Sequence, residues 1–176
     1  MRNWGGVIGI AISVLGGSAV VAQTNSDIDR LMPYMTALPD CVDGASDLAA
    51  AKECVGLFAS ACMETEEGGW SNYGMTFCTL AENQAWDELL NRDYQTAMST
   101  ARVLDAEEAE TFPEYANRAD SLRDAQRAWI VFRDAECGLA YAEWGAGSMR
   151  SLAHAGCQLD MTATRTLKLH FMWQEM

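Results

Sequence analysis

The sequence predicts an all-α fold, a disulfide-stapled helical bundle of about four to five helices. Three observations carry that expectation. Apolar residues recur at three- and four-residue spacing almost throughout, the period of an α-helix. No stretch of useful length alternates apolar with polar residues as a half-buried strand does. Six cysteines, at 41, 54, 62, 78, 137 and 157, follow an N-terminal segment with the features of a secretory leader, an even count that implies three disulfides in an oxidising compartment.

The leader comprises residues 1–22. Arg2 supplies its positive start, Val7 to Leu15 its apolar centre, and Val20-Val21-Ala22 small residues before a cut at Gln23. The uncharged run from Asn3 to Thr24 is also long enough for a membrane anchor, but its glycines and cleavage pattern favour removal. Residues 23–176 then suit one helical domain, which the leader and disulfides direct to the periplasm or the cell exterior of a Gram-negative-type bacterium. The chain carries 12 Lys and Arg against 25 Asp and Glu, a formal net charge of −13. Such a chain repels nucleic acid and anionic lipid and attracts cationic partners.

Six cysteines allow many pairings. Cys54 and Cys62 fall on one predicted helix, about 12 Å apart, beyond the roughly 7 Å that a disulfide spans. The preferred pairing among those that remain is Cys41–Cys54, Cys62–Cys78 and Cys137–Cys157.

A short first helix is capped by Ser26 to Asp29 and ends near Pro39. Asp43 to Ser46 precede a second, alanine-rich helix through Cys62. Glu64 to Asn72, with Gly68-Gly69 inside, is a loop. The third helix starts near Tyr73 and runs past Ala101, with an inner stripe of Cys78, Glu82, Trp86, Leu89 or Leu90, Tyr94 and Ala97. Thr111-Phe112-Pro113-Glu114 reads as a capping box for the fourth helix, which continues to about Trp144. Gly145 to Ser148 break it. A last helix runs from about Asp160 to Trp173. Residues 23–53 form an N-terminal extension of this domain.

The fourth helix contains AQRAWIVFRDAEC, residues 125–137. Gln126, Trp129, Arg133 and Cys137 share one face, and apolar residues surround the segment, which predicts burial. A buried arginine needs a specific acid. Glu82, on the inner stripe of the third helix, is the candidate partner, and a bidentate ion pair with Arg133 suits such a site.

The segments Glu82–Trp86–Asp87–Leu90–Asn91–Tyr94 and Gln126–Trp129–Arg133–Asp134–Cys137, followed by Cys157 and Thr162 to Arg165, resemble the LprI-type lysozyme inhibitor domain, a family of small secreted bacterial proteins. The resemblance covers roughly residues 54–170. It implies a helical fold without a cofactor, a cysteine pair matching Cys137 and Cys157, and inhibition of lysozyme by some members.

The residues themselves offer little catalytic chemistry. Glu66-Glu67 and Glu107-Glu108 sit in polar stretches without the burial that tunes a general acid. His154, in the Gly/Ser-rich connection near Ser148 and Ser151, lacks a nucleophile elbow. His170 belongs to the last helix. No CxxC occurs and there are only two histidines, so neither a redox pair nor a metal site is expected. The ten methionines are scattered and fill core space. Trp70, Tyr73 and Trp144 border glycine-containing loops, where an exposed aromatic can anchor a partner. The residues thus point to a non-enzymatic function, and the resemblance implies which: binding, and inhibition, of a basic lysozyme or another cationic protein. Glu64, Glu66, Glu67, Asp105, Glu107, Glu108 and Glu110 supply the candidate surface. The alternative is a structural or interaction protein of the cell envelope with another partner. A glycan hydrolase would need two converging carboxylates about 5–10 Å apart, which the sequence does not show.

Overall fold

The computed structural model describes residues 26–173; the expected leader lies outside the described residues. Among the described residues, seven α-helices and two 3-10 turns follow in order: α1 (Ser26–Leu31), a 3-10 turn (Met32–Met35), α2 (Leu38–Asp43), α3 (Leu48–Lys52), α4 (Leu57–Thr65), α5 (Asn72–Ala109), a second 3-10 turn (Pro113–Tyr115), α6 (Arg118–Ala142) and α7 (Arg150–His170). The described residues contain no strand. The count exceeds the four to five helices expected because the N-terminal third breaks into short pieces.

Helix α5 is the axis. Its 38 residues span about 57 Å at 1.5 Å per residue. Helix α7 packs along it, and α6 lies against both. Helices α1 and α4 cover the first part of α5. One apolar cluster centres on Leu38, Cys62, Cys78, Trp86 and Leu167. A second gathers Leu90, Met98, Leu122 and Leu169 further along α5. The predicted stripe is recovered from Cys78 through Ala97 with one change. Asp93 is buried and Tyr94 only partly so.

The structure bonds Cys41 to Cys54, Cys62 to Cys78 and Cys137 to Cys157, with Cα–Cα separations of 6.1, 5.8 and 5.4 Å. The first two tie the short helices to one another and to α5. The third ties α6 to α7.

Three boundaries and one burial differ from the sequence reading, each for a physical reason. The second predicted helix breaks at Gly56, whose φ of +81° lies in the left-handed region, where glycine adopts a conformation other residues resist. Cys54 and Cys62 therefore do not share a helix. Thr111 to Glu114 form no capping box. The chain makes a 3-10 turn there, and α6 starts at Arg118 without a side-chain bond from its own N-cap residue. Its cap comes from α5: the Arg118 and Ala119 N–H groups donate to the two oxygens of Asp105, at 2.9 and 2.8 Å. Helix α7 begins ten residues earlier than expected, at Arg150. Its Ser, Ala and Gly residues resemble a connector in sequence, yet Ala155 is buried and Cys157 is bonded to Cys137. Finally, the AQRAWIVFRDAEC segment is not mostly buried. Only Leu122, Gln126 and Cys137 of α6 are, because a three-helix bundle covers just one side of its outer member.

Candidate functional site

The expected Glu82–Arg133 ion pair does not form. Glu82 is fully buried and faces the start of α4 instead. The Gly56 N–H donates to its Oε1 at 2.6 Å, the Ala59 N–H to its Oε2 at 2.6 Å, and the Trp86 indole N–H to Oε1 at 3.0 Å. The carboxylate thus caps a helix from outside that helix, where an N-terminus favours negative charge. Burial pushes its pKa up, against the pull of these donors.

Arg133 lies 5.1 Å above the Trp129 ring. It donates twice to Asp134, at 3.0 and 2.9 Å, and comes within 3.7 Å of Asp87. The buried arginine is Arg165, which sequence reasoning named only as a motif residue. Its Nε donates to the Gln126 side-chain oxygen at 2.8 Å, and its guanidinium sits 6.0 Å from the Trp129 ring. Burial lowers its pKa. Gln126, Trp129, Arg133 and Arg165 therefore form one stack joining α6 to α7. The signal for Arg165 was its place beside Thr162, Thr166 and Leu169 on the buried face of α7.

The candidate acidic surface divides in two. Glu64, Glu66 and Glu67 lie before the N-terminus of α5, whereas Asp105, Glu107, Glu108 and Glu110 lie at its C-terminus. The length of α5 separates the groups, so they cannot act as one patch. Several members are already engaged. Glu66 accepts from Arg30 and, at 2.9 Å, from the Tyr34 hydroxyl, contacts that hold its pKa below the usual carboxylate range. Burial pushes the Asp105 carboxyl up, but its bonds to Ala119 and Arg118 leave it lowered. Glu108 accepts from Arg118 at 2.8 Å. Glu64, Glu67, Glu107 and Glu110 are exposed.

The end of the bundle that holds residues 64–71 also holds the α6–α7 connection, residues 143–149. Its loops are tightly built. Gly68 has a φ of +73°, and a Cβ on Gly69 would stand 2.2 Å from the Met63 carbonyl oxygen. Ser71 caps α5 by accepting from the Gly74 N–H at 3.0 Å, and donates to the Gly68 carbonyl at 2.6 Å. The Asn72 amide donates to the Ser148 hydroxyl at 3.0 Å and joins the two loops. The Tyr73 hydroxyl donates to Asp27 at 2.9 Å. Held this way, Trp70 stays 62% exposed, Tyr73 61% and Trp144 49%.

Between the loops lies an open groove of about 450 Å³, with Tyr73, Phe77 and Tyr141 among its walls and Asn72, Ser148 and His154 among its polar groups. His154 lies on α7, not in a loop, and its Nδ1 is 2.9 Å from the Cys137 carbonyl oxygen. A carbonyl only accepts, so Nδ1 carries the proton and Nε2 is the basic nitrogen. Among the described residues the group that orients the ring is this backbone carbonyl, where a catalytic triad has a carboxylate. His170, on α7 as expected, pairs with Asp93 at 3.0 Å. Among the described residues, no group of three or more His, Cys, Asp and Glu side chains is arranged to hold a metal ion. No described helix is long and apolar enough to cross a membrane.

The sequence profile of the family described as Lysozyme inhibitor LprI matches residues 62–169, more than half of the chain. The chain belongs to the LprI lysozyme inhibitor family. An uncharacterized protein of Rhizobium meliloti (strain 1021) is 33% identical over 99 residues, which cover 56% of this chain and 71% of that protein. No solved structure matches. The LprI match begins at Cys62 and so takes in α5, α6, α7, two disulfides, the Trp129 stack and both loops of the aromatic end. Helices α1–α3 precede it.

Proposed function

We propose that this protein is a non-enzymatic periplasmic or secreted inhibitor that binds a basic lysozyme with the end of the bundle formed by residues 64–73 and 143–149. Membership of the LprI family supports lysozyme as the partner class. The observation that carries the choice of surface is the set of three exposed aromatics, Trp70 and Trp144 on two neighbouring loops and Tyr73 in the first turn of α5, where Asn72 bonds Ser148. Glu64, Glu67 and Glu143 lie beside them and are exposed. Rigid loops lose little freedom on docking, and aromatic side chains supply most of the energy of a small interface. The net charge of −13 steers a cationic enzyme toward the complex and makes the encounter sensitive to salt. At the opposite end Asp105 and Glu108 hold Arg118.

Lysozyme turnover of a cell-wall substrate, measured with a molar excess of purified protein from about 20 to about 500 mM salt, tests this reading. Inhibition is expected at low salt and falls as salt rises. Trp70→Ala and Trp144→Ala each weaken it about tenfold or more, with unchanged circular dichroism. Glu107→Gln with Glu110→Gln, at the far end, leaves it intact. Full lysozyme activity under a molar excess at low salt refutes the proposal. Capture of a different envelope protein in its place would move the function to another partner.

A further inference from the structure

The outer face of α6 has no partner among the described residues. Val131 is 71% exposed, Phe132 58% and Leu139 54%. With Ala128, Ala135 and Ala142, all exposed, they follow three- and four-residue spacing along the side opposite Gln126 and Cys137. Gly138 lies within this face, and a Cβ added there would meet nothing within 4 Å. Such a continuous apolar face on a secreted, highly charged chain marks a contact surface.

We propose that this face is the contact between two copies of the chain, packed with their α6 helices antiparallel about a two-fold axis near Val131. The charges along α6 select that occupant and that direction. Arg127 and Asp134 lie on the same flank of the apolar stripe, one turn to either side of Val131, with side chains 73% and 57% exposed. In an antiparallel two-fold pair, equivalent flanks meet. Arg127 of each copy then stands beside Asp134 of the other, and Val131 meets Val131. Among the described residues of its own chain, Arg127 has a loose pair with Asp124 at 3.9 Å, and both bonds from Arg133 to Asp134 go to one oxygen, Oδ1, which leaves Oδ2 for the cross-pair. A parallel pair would bring Asp134 against the flank that carries Glu136, placing acid beside acid. The small residues along the centre, Ala128, Ala135, Gly138 and Ala142, allow the close approach of about 8 Å at which helices interlock. The contact runs along the side of α6 and does not depend on a lysozyme at residues 64–73 and 143–149.

Sedimentation velocity of the purified full chain, without lysozyme, from about 1 to about 200 µM tests the pairing. A reversible monomer–dimer equilibrium is expected. Val131→Asp, at an exposed position that folding does not need, weakens it at least about 30-fold with an unchanged near-ultraviolet spectrum. Arg127→Glu alone weakens it by a smaller factor, and adding Asp134→Lys restores it, because both cross-pairs reform with reversed sign. A chain that stays monomeric throughout the range overturns the inference, as does a dimer indifferent to Val131→Asp. Failure of the paired reversal to restore dimerisation overturns the antiparallel register. If the Val131→Asp protein folds but loses lysozyme inhibition while the parent is monomeric, the face belongs to the enzyme and not to a second copy.

Discussion

Replacing Glu82 by glutamine removes one oxygen from the centre of the fold and leaves its volume almost unchanged. The amide oxygen can keep the Oε1 position and accept from the Gly56 N–H and the Trp86 indole. The amide nitrogen then faces the Ala59 N–H, donor against donor, in the place of Oε2. Leaving that buried N–H without an acceptor costs about 1–3 kcal/mol, and the two remaining bonds each lose about 1 kcal/mol with the charge. Relief of carboxylate desolvation, the cause of the raised pKa, offsets part of this. The net expectation is a loss of about 2–4 kcal/mol, a fall in Tm of about 5–15 °C for a domain of this size. Thermal and urea unfolding with the disulfides intact measure it. Arg133→Met, which gives up a cation–π contact and partly exposed ion pairs, should cost only about 0.5–1.5 kcal/mol. The two losses should add within about 0.5 kcal/mol, because the residues share no contact. A Glu82→Gln protein within about 1 kcal/mol of the parent, or a strong coupling between the two sites, would refute the assignment of Glu82 as the cap of α4.

Two further perturbations follow from the same contacts. Asp105 has a lowered pKa in the folded chain, so its contribution is present above the ordinary value of about 4 and is lost as pH falls through the depressed folded one. Asp105→Asn should therefore flatten the loss of stability on acidification from about pH 5 to about pH 2, read from urea midpoints. Glu82 has the opposite sign: its contribution is greatest below its unfolded value and declines as pH rises through the raised folded one. Converting Cys137 and Cys157 to serine opens a bridge with a sequence separation of 20 and should cost about 3 kcal/mol. Helices α6 and α7 should keep their dichroism, while the connection they support loses order and lysozyme inhibition weakens.

The long helices were legible because their signal is local. The stripe from Cys78 to Ala97 repeats at helical spacing, and the aromatics of the two loops stand beside glycines that mark turns. What escaped was non-local. Glu82 reads as the partner of an arginine because both are charged residues on apolar faces, yet its donors are backbone N–H groups, which look the same in every sequence. They are exposed only because the chain turns at Gly56. Asp105 sits in an acidic run that reads as solvated surface, but α6 begins beside it and uses it as a cap. A cap supplied by another helix has no sequence spacing by which to find it. The start of α7 was hidden by Ser, Ala and Gly residues that read as a connector, although Ala155 among them is fully buried in the fold.

Helix α6 shows why apolar content does not fix burial. Its segment 129–132, Trp-Ile-Val-Phe, presents apolar atoms in every direction, and an all-round apolar helix is ordinarily enclosed. In a three-helix arrangement the outer helix touches two neighbours, so at most one side can be covered. Gln126 and Cys137 take that side, with Trp129 half-buried beside them. Val131 and Phe132 are left facing water although nothing in the fold requires them to be apolar. Polar residues there would serve folding equally well and solubility better. Their presence therefore needs a reason outside the monomer. Arg127 and Asp134, placed about Val131 with opposite charge, supply one that pairing two copies satisfies.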